Sequence, residues 1–113
     1  MSWTYAQGFR AAGVEAGISA IAGKRDVAMV VNDGPLTSAA GVFTANRFCA
    51  APVQWSRSAV ADGALRAVVL NSGGANACTG QAGFDQSTAT AQRAASLLDC
   101  EAEDIAVCST GLI

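Results

Sequence analysis

Residues 66–80 read Arg-Ala-Val-Val-Leu-Asn-Ser-Gly-Gly-Ala-Asn-Ala-Cys-Thr-Gly, and they predict a strand followed by a loop. Its first five residues, Arg66 followed by four apolar residues, are typical of a buried strand, and the following ten are small or polar residues typical of a loop. A helix is predicted next, from Asp85 to Leu98, with Asp85 as its cap. Small and apolar residues recur on one face of this helix at Ala91, Ala94, Ala95 and Leu98. The helix can therefore lie close against a sheet.

Further strands are predicted on both sides of this unit. Val27 to Val31 is a short apolar run closed by a turn at 33–35, and Ile105 to Ser109 is a final apolar run after a polar turn at 101–104. Both runs are typical of buried strands. Ala39 to Thr44 is predicted as another strand, and Ala51 to Ser56 alternates apolar and polar residues as a half-exposed strand would.

Two segments are predicted to be less regular. Arg57 to Gly63 is expected to form a short helix or turn that stops at Asp62-Gly63. Gly8 to Val14 is expected to be an irregular edge segment, because the glycines in this region break any helical pattern.

The composition excludes several classes of function. The chain has 113 residues, a net charge of −2, 14% charged residues and no histidine. Without histidine there can be no Ser-His-Asp triad, no Cys-His pair and no His-ligated zinc. The basic residues are few and dispersed, so a nucleic-acid partner is not expected. No apolar run approaches the roughly 20 residues that cross a bilayer, so no membrane association is expected.

The cysteines and the amino terminus indicate a cytoplasmic protein. The four cysteines form no C-x-x-C pair and are expected to be small, buried, reduced thiols. Residues 1–5 lack the basic region and apolar region of a signal peptide. We therefore expect cytoplasmic localisation.

Two segments could carry chemistry. In Asn71 to Gly80, glycines allow backbone N–H groups to converge on an anion or a carbonyl oxygen, although a tight strand-to-helix connection explains the same residues. In 108–111, the Thr110 hydroxyl and the Gly111 N–H follow a strand and could donate two hydrogen bonds to a developing oxyanion. A hydroxyl-rich strand end with a turn glycine is the alternative, and neither motif is specific in isolation.

Four ordered blocks of sequence together carry a more specific signal. They are residues 40–47 (Ala-Gly-Val-Phe-Thr-Ala-Asn-Arg), 51–53 (Ala-Pro-Val), 66–80 and 107–113 (Val-Cys-Ser-Thr-Gly-Leu-Ile). With these blocks the chain resembles the bacterial glutamate N-acetyltransferase / ornithine acetyltransferase family of arginine biosynthesis. The resemblance extends from about Gly8 to the last residue. It implies an α/β layered sandwich with mixed or antiparallel sheets, similar to that of the related aminopeptidase-esterases.

The resemblance also implies an activity. Family members transfer the acetyl group of N-acetylornithine to glutamate, and some also accept acetyl-CoA as acetyl donor; no cofactor is implied. The precursor cuts itself before a threonine, which then serves as nucleophile with its own amine as base, so that no histidine is required. Thr110 and Gly111 match the family's oxyanion pair, whereas Asn71 to Gly80 matches a signature for which we expect a structural role.

The match implies that residues 1–113 are the incomplete amino-terminal part of the acetyltransferase domain. The family's nucleophilic threonine and its substrate-binding lysine lie downstream of Ile113. The expected partners are N-acetylornithine, glutamate and the remaining half of the same precursor, in a heterotetramer of two cleaved halves. This part alone is expected to be inactive. The alternatives are a non-catalytic binding or assembly module of the same ancestry, or an aminopeptidase-type relative.

Overall fold

One four-stranded sheet with helices on one face forms the fold. The structure is a computed structural model and describes residues 6–112. The elements in chain order are β1 (Phe9–Val14), β2 (Val27–Asn32), α1 (Ala51–Ala59), a 3-10 turn (Val60–Asp62), β3 (Ala67–Ser72), α2 (Gly80–Leu98), a second 3-10 turn (Ala102–Asp104) and β4 (Ile105–Thr110). The strand order is β1-β2-β3-β4; the first two pairs are antiparallel and β3 and β4 are parallel. The predicted α/β class with a mixed sheet is confirmed.

The core lies between α2 and the sheet. Ala91, Ala94 and Ala95 are buried on α2, as the small-residue stripe predicts, and they pack against strand residues such as Val69 and Ile105. Because alanine side chains are short, α2 can lie close to the strands. The helix begins five residues earlier than predicted, at Gly80, and Asp85 is therefore an interior residue, not the cap.

Helix α1 corrects one prediction. Ala51 to Ser56 is helical, not a half-exposed strand, and Pro52 lies in the first turn of that helix. Proline is favoured there because the first-turn N–H groups have no partner within the helix. The helix also has a tertiary role: the Trp55 Nε1–H donates to the Ile105 carbonyl at 2.8 Å, and the Ser56 hydroxyl bonds both backbone groups of Val107. In this way α1 covers part of the free edge of β4.

Two other predicted segments also differ. Ala39 to Thr44 is not a strand; the structure forms only an isolated bridge nearby, between Ser38 and Ala64. A strand needs a continuous partner edge, and here that ladder is absent. Conversely, the segment predicted as irregular at Gly8 to Val14 is strand β1, which pairs with β2 over six residues. Helix α1 and the following 3-10 turn end at Gly63 in the left-handed conformation, as predicted for the stop signal.

The second face of the sheet has no layer over it within residues 6–112. Side chains alternate along a strand, so the residues between the core positions point to this face. Leu70 and Cys108 are exposed there, and Val30 and Val68 are only half-buried. A shallow apolar hollow of about 330 Å³ lies on it, next to β1 and β2. We call this surface the bare face.

The cysteine prediction was wrong about burial. All four cysteines are free thiols, but Cys78 and Cys108 are exposed and Cys49 and Cys100 are half-buried. Cys108 lies on the bare face and Cys78 lies in the loop after β3. Desolvation by neighbouring groups raises the pKa of the Cys108 thiol.

Candidate functional site: the carboxyl ends of β3 and β4

The two predicted chemical segments meet at one edge of the sheet. Strands β3 and β4 are parallel, with Asn71 opposite Ser109 and Ser72 opposite Thr110, so both strands end at the same edge. The ladder continues past the strands: the Gly73 N–H donates to the Thr110 carbonyl, and the Ala75 N–H donates to the Leu112 carbonyl, each at 3.2 Å. The loop 73–76 therefore lies directly beside the candidate oxyanion pair.

The Gly111 N–H points away from the loop 73–76, toward the side of β4 that does not pair with β3. Residues 105 and 107 of β4 direct their backbone groups outward, to Trp55 and Ser56, whereas the carbonyls of residues 110 and 112 point inward to the loop. Consecutive residues of an extended segment alternate in this respect. Among residues 6–112 the Gly111 N–H has no backbone partner. It is thus a donor available to a ligand.

The hydroxyl of Thr110 lies on the bare face. The side chain before it, Ser109, points to the helical side, where its Oγ accepts from the Asn76 N–H at 3.1 Å and donates to the Gly74 carbonyl at 3.3 Å. Alternation then directs Thr110 to the opposite face, and this residue is exposed. The two candidate donors therefore lie at the carboxyl ends of β3 and β4, beside the bare face.

Glycine at position 111 is required by a close approach. Its φ is +148°, and a Cβ there would lie 2.7 Å from the Gly74 nitrogen and 3.0 Å from the Ala75 nitrogen. No side chain fits at these separations, and residues other than glycine rarely adopt this φ. The strand end can approach the loop this closely only because position 111 is glycine.

The prediction that Asn71 to Gly80 is a structural connection agrees with its contacts. The Asn76 amide donates to the Gly83 carbonyl at 2.8 Å and to the Ser87 hydroxyl at 3.2 Å, and its oxygen accepts from the Thr79 hydroxyl. These bonds tie the loop to the first turns of α2. Behind the loop, a cavity of about 400 Å³ is bordered by Asn71, whose buried Oδ1 has no hydrogen-bond partner among residues 6–112.

The described residues include neither a metal cluster nor a membrane span. Within 6–112, no three histidine, cysteine, aspartate or glutamate side chains come together in a way that could hold a metal ion. No helix in that range is long and apolar enough to cross a membrane.

Comparison with known proteins identifies the family of this chain. The model of the ArgJ family matches residues 10–113. The chain belongs to the ArgJ family.

Individual ArgJ relatives are similar over the entire chain. The "Arginine biosynthesis bifunctional protein ArgJ" of Bifidobacterium longum is 70% identical over 113 residues, and that of Thermobifida fusca is 66% identical. These matches cover 100% of this chain but only 29% of each relative. The chain thus spans less than a third of the length of these ArgJ proteins.

Solved structures agree with the fold. The ornithine acetyltransferase of Mycobacterium tuberculosis, whose structure is a complex with ornithine, superposes with a TM-score of 0.94 and is 56% identical. The ArgJ protein of Bacillus halodurans superposes with a TM-score of 0.90 at 34% identity. Both matches cover 97% of this chain and 59% and 56% of the respective solved chains. The mixed sheet described above is therefore the ArgJ fold over this part of the protein.

The sequence did not indicate that Asp26 lies near the ends of β3 and β4. Asp26 precedes β2, and its carbonyl accepts from the Ser72 N–H at 2.8 Å, which places it at the same edge. No motif marks it, because its partners are backbone groups of residues 16 and 19. A lone aspartate before an apolar run was the only signal.

Proposed function

We propose that this chain is the amino-terminal part of an acetyltransferase that moves the acetyl group of N-acetylornithine to glutamate, and that Thr110 and Gly111 supply its oxyanion donors. The observation that carries the proposal is the Gly111 N–H, which has no backbone partner among residues 6–112 and lies beside the exposed Thr110 side chain at the end of a buried strand. Membership of the ArgJ family supports the choice of reaction. Acetyl-CoA is a second acetyl donor under this proposal, and no cofactor takes part.

The reaction needs donors that are already oriented when charge appears. A threonine hydroxyl attacks the acetyl carbonyl carbon, its proton passes to the threonine's own amine, and the carbonyl oxygen takes the negative charge. The Thr110 hydroxyl and the Gly111 N–H donate to this oxygen. The C–N bond then breaks, ornithine leaves with the proton, and the acetyl group remains as an ester. The glutamate amine then attacks this ester and forms a second oxyanion at the same donors. When this intermediate collapses, the ester C–O bond breaks, N-acetylglutamate leaves, and the proton lost by the glutamate amine returns to the threonine oxygen.

We infer that the nucleophilic threonine and the remaining substrate contacts come from the other half of the same precursor. The bare face supports this inference, since an exposed apolar sheet face normally requires a covering layer. Thr110 opens onto that face, so a covering segment would bring its groups close to the candidate donors. Self-cleavage into two halves and their assembly as a heterotetramer complete the proposal. Four free cysteines are typical of the cytoplasm, where we place the enzyme.

A chimera provides the test. Residues 1–113 replace the matching segment of the Bifidobacterium longum relative, and acetyl transfer from N-acetylornithine to glutamate is measured. We expect the chimera to be active and Thr110→Ala to lower kcat by roughly 10²- to 10³-fold, the loss typical of one oxyanion donor. Thr88→Ala is the matched control, because the Thr88 hydroxyl donates only to the Phe84 carbonyl within α2.

Three results would contradict the proposal. An inactive chimera that folds would exclude the proposed acetyltransferase activity. An unchanged kcat in Thr110→Ala would exclude Thr110 as an oxyanion donor. Turnover by residues 1–113 alone would exclude a nucleophile supplied by the remaining half.

A further inference from the structure

Asp26 is a buried carboxylate that is held by backbone groups. It is 2% exposed, and its two carboxylate oxygens accept from the Ala16 N–H at 2.6 Å and the Ser19 N–H at 2.8 Å. Neither ion pair found among residues 6–112 involves it. The N–H groups of Ser19 and Ala16 hold the pKa of Asp26 below its usual range, against the opposing effect of burial. The group is therefore a carboxylate at neutral pH.

The loop 16–19, which is hydrogen-bonded to Asp26, is in direct contact with the loop after β3. Gly73 has a φ of +122°, and a Cβ there would lie 2.8 Å from the Ser19 nitrogen and 3.0 Å from the Ile18 carbonyl carbon. Backbone therefore meets backbone at this point, with no side chain between the two segments. A shift of residues 18–19 would therefore displace Gly73, because close-packed groups leave no free space between them.

Gly73 in turn contacts the candidate oxyanion pair. Its N–H donates to the Thr110 carbonyl at 3.2 Å, while Gly111 packs against Gly74. Three backbone segments thus lie in sequence from Asp26 to the carboxyl end of β4: residues 16–19, residues 73–75 and residues 110–112. We call this arrangement the backbone stack.

We propose that Asp26 is a positioning residue for acetyl transfer, which fixes the Thr110 and Gly111 donors by holding the backbone stack from behind. This inference rests on the proposed function. Oxyanion donors are effective when their direction is set before the charge develops, and displacements well below 1 Å weaken them. Asp26 touches neither the substrate nor the reacting atoms; its effect passes through Ser19 and Gly73.

Asp26→Asn in the chimera is the direct test. Asparagine keeps the size of the side chain and one acceptor oxygen, but its NH₂ group cannot accept the second N–H. We expect kcat to fall about 10- to 100-fold, with KM changed less than about 2-fold, because the donors act mainly in the transition state. Asp33→Asn is the matched control: it removes a carboxylate at the other end of β2, far from the stack.

A double-mutant cycle separates positioning from a general loss of stability. If Asp26 acts through the donors, Asp26→Asn should lower kcat much less in the Thr110→Ala background than in the parent chimera. Fully additive losses, or an unchanged kcat in the single variant, would overturn the proposal. So would equal losses in Asp26→Asn and Asp33→Asn.

A second pair of variants keeps the test decisive if Asp26→Asn does not fold. Ser19→Pro removes the N–H that donates to Asp26, whereas Ser19→Ala keeps that N–H and removes only the hydroxyl, which accepts from the Ile21 N–H at 3.2 Å. We expect Ser19→Pro, but not Ser19→Ala, to lower kcat. Equal kcat values in the two variants would refute the role of Asp26. The two proposals fail in different ways: an active chimera sensitive to Thr110→Ala but not to these variants refutes only the positioning role, whereas an inactive chimera refutes both.

Discussion

The two ends of β2 carry aspartates in opposite surroundings. Asp26, before the strand, is buried and bonded by backbone N–H groups of one loop. Asp33, after the strand, is a third exposed and pairs with the guanidinium groups of Arg10 and Arg66. Both pKa values lie below the usual range, for Asp26 through backbone hydrogen bonds and for Asp33 chiefly through its bond to Arg10.

The difference shows how similar pKa directions can arise from unlike structural roles. An exposed ion pair is screened by solvent and holds long, mobile side chains, so it constrains the backbone little. A buried carboxylate that accepts from two backbone N–H groups fixes the path of the chain itself. The edge that contains Asp26 is also the edge where β3 and β4 end and where the candidate donors lie. Backbone that is bonded to a buried carboxylate thus lies at the edge where the proposed chemistry takes place.

The largest effect on stability is expected from adding a side chain at Gly73, near the Asp26 end of β2. Gly73→Ala places a Cβ 2.8 Å from the Ser19 nitrogen at a φ of +122°, which we expect to cost about 1–3 kcal/mol of stability. The melting temperature of the chimera should fall by roughly 2–6 °C. Gly74→Ala is the neighbouring control, since no atom lies within 4 Å of its added Cβ. Equal melting temperatures for the two variants would show that the backbone stack is not tightly packed.

A smaller effect is expected from protonating Asp26. Because its pKa is lower in the folded state, Asp26 contributes stability above its unfolded pKa, near 3.9, and loses it as pH falls through the folded pKa. The stability difference between the parent and Asp26→Asn should therefore be constant from pH 7 to about 4.5 and narrow below that range. Urea unfolding across this pH series measures it. A difference that widened on acidification would mean that the folded pKa is raised.

The smallest effect is expected at the Asp33 end. Asp33→Asn should lower the melting temperature by less than about 2 °C, because an exposed ion pair contributes little. Raising the salt concentration from 0.05 to 0.5 M should remove most of this difference while leaving that of Asp26→Asn unchanged, since salt screens exposed charges far more than buried hydrogen bonds. Equal salt dependence at both ends would contradict the distinction between them.

Several elements could be predicted because local pattern and tertiary environment agree. The stripe at Ala91, Ala94 and Ala95 is buried as expected, and the apolar runs of β2, β3 and β4 are strands. At 51–56 the apolar alternation was misleading. The more reliable signal was Pro52, which suits the first turn of a helix and interrupts a strand ladder.

Sequence patterns are enough to identify the family, the strand–loop–helix unit at 66–98 and the candidate donors Thr110 and Gly111. These depend on apolar periodicity and on short ordered motifs, which are local properties of the chain. Only the tertiary structure placed 71–80 beside 110–112, through the parallel pairing of β3 with β4. It alone assigned a role to Asp26, because that role depends on backbone N–H groups, which every residue except proline carries and no sequence pattern distinguishes.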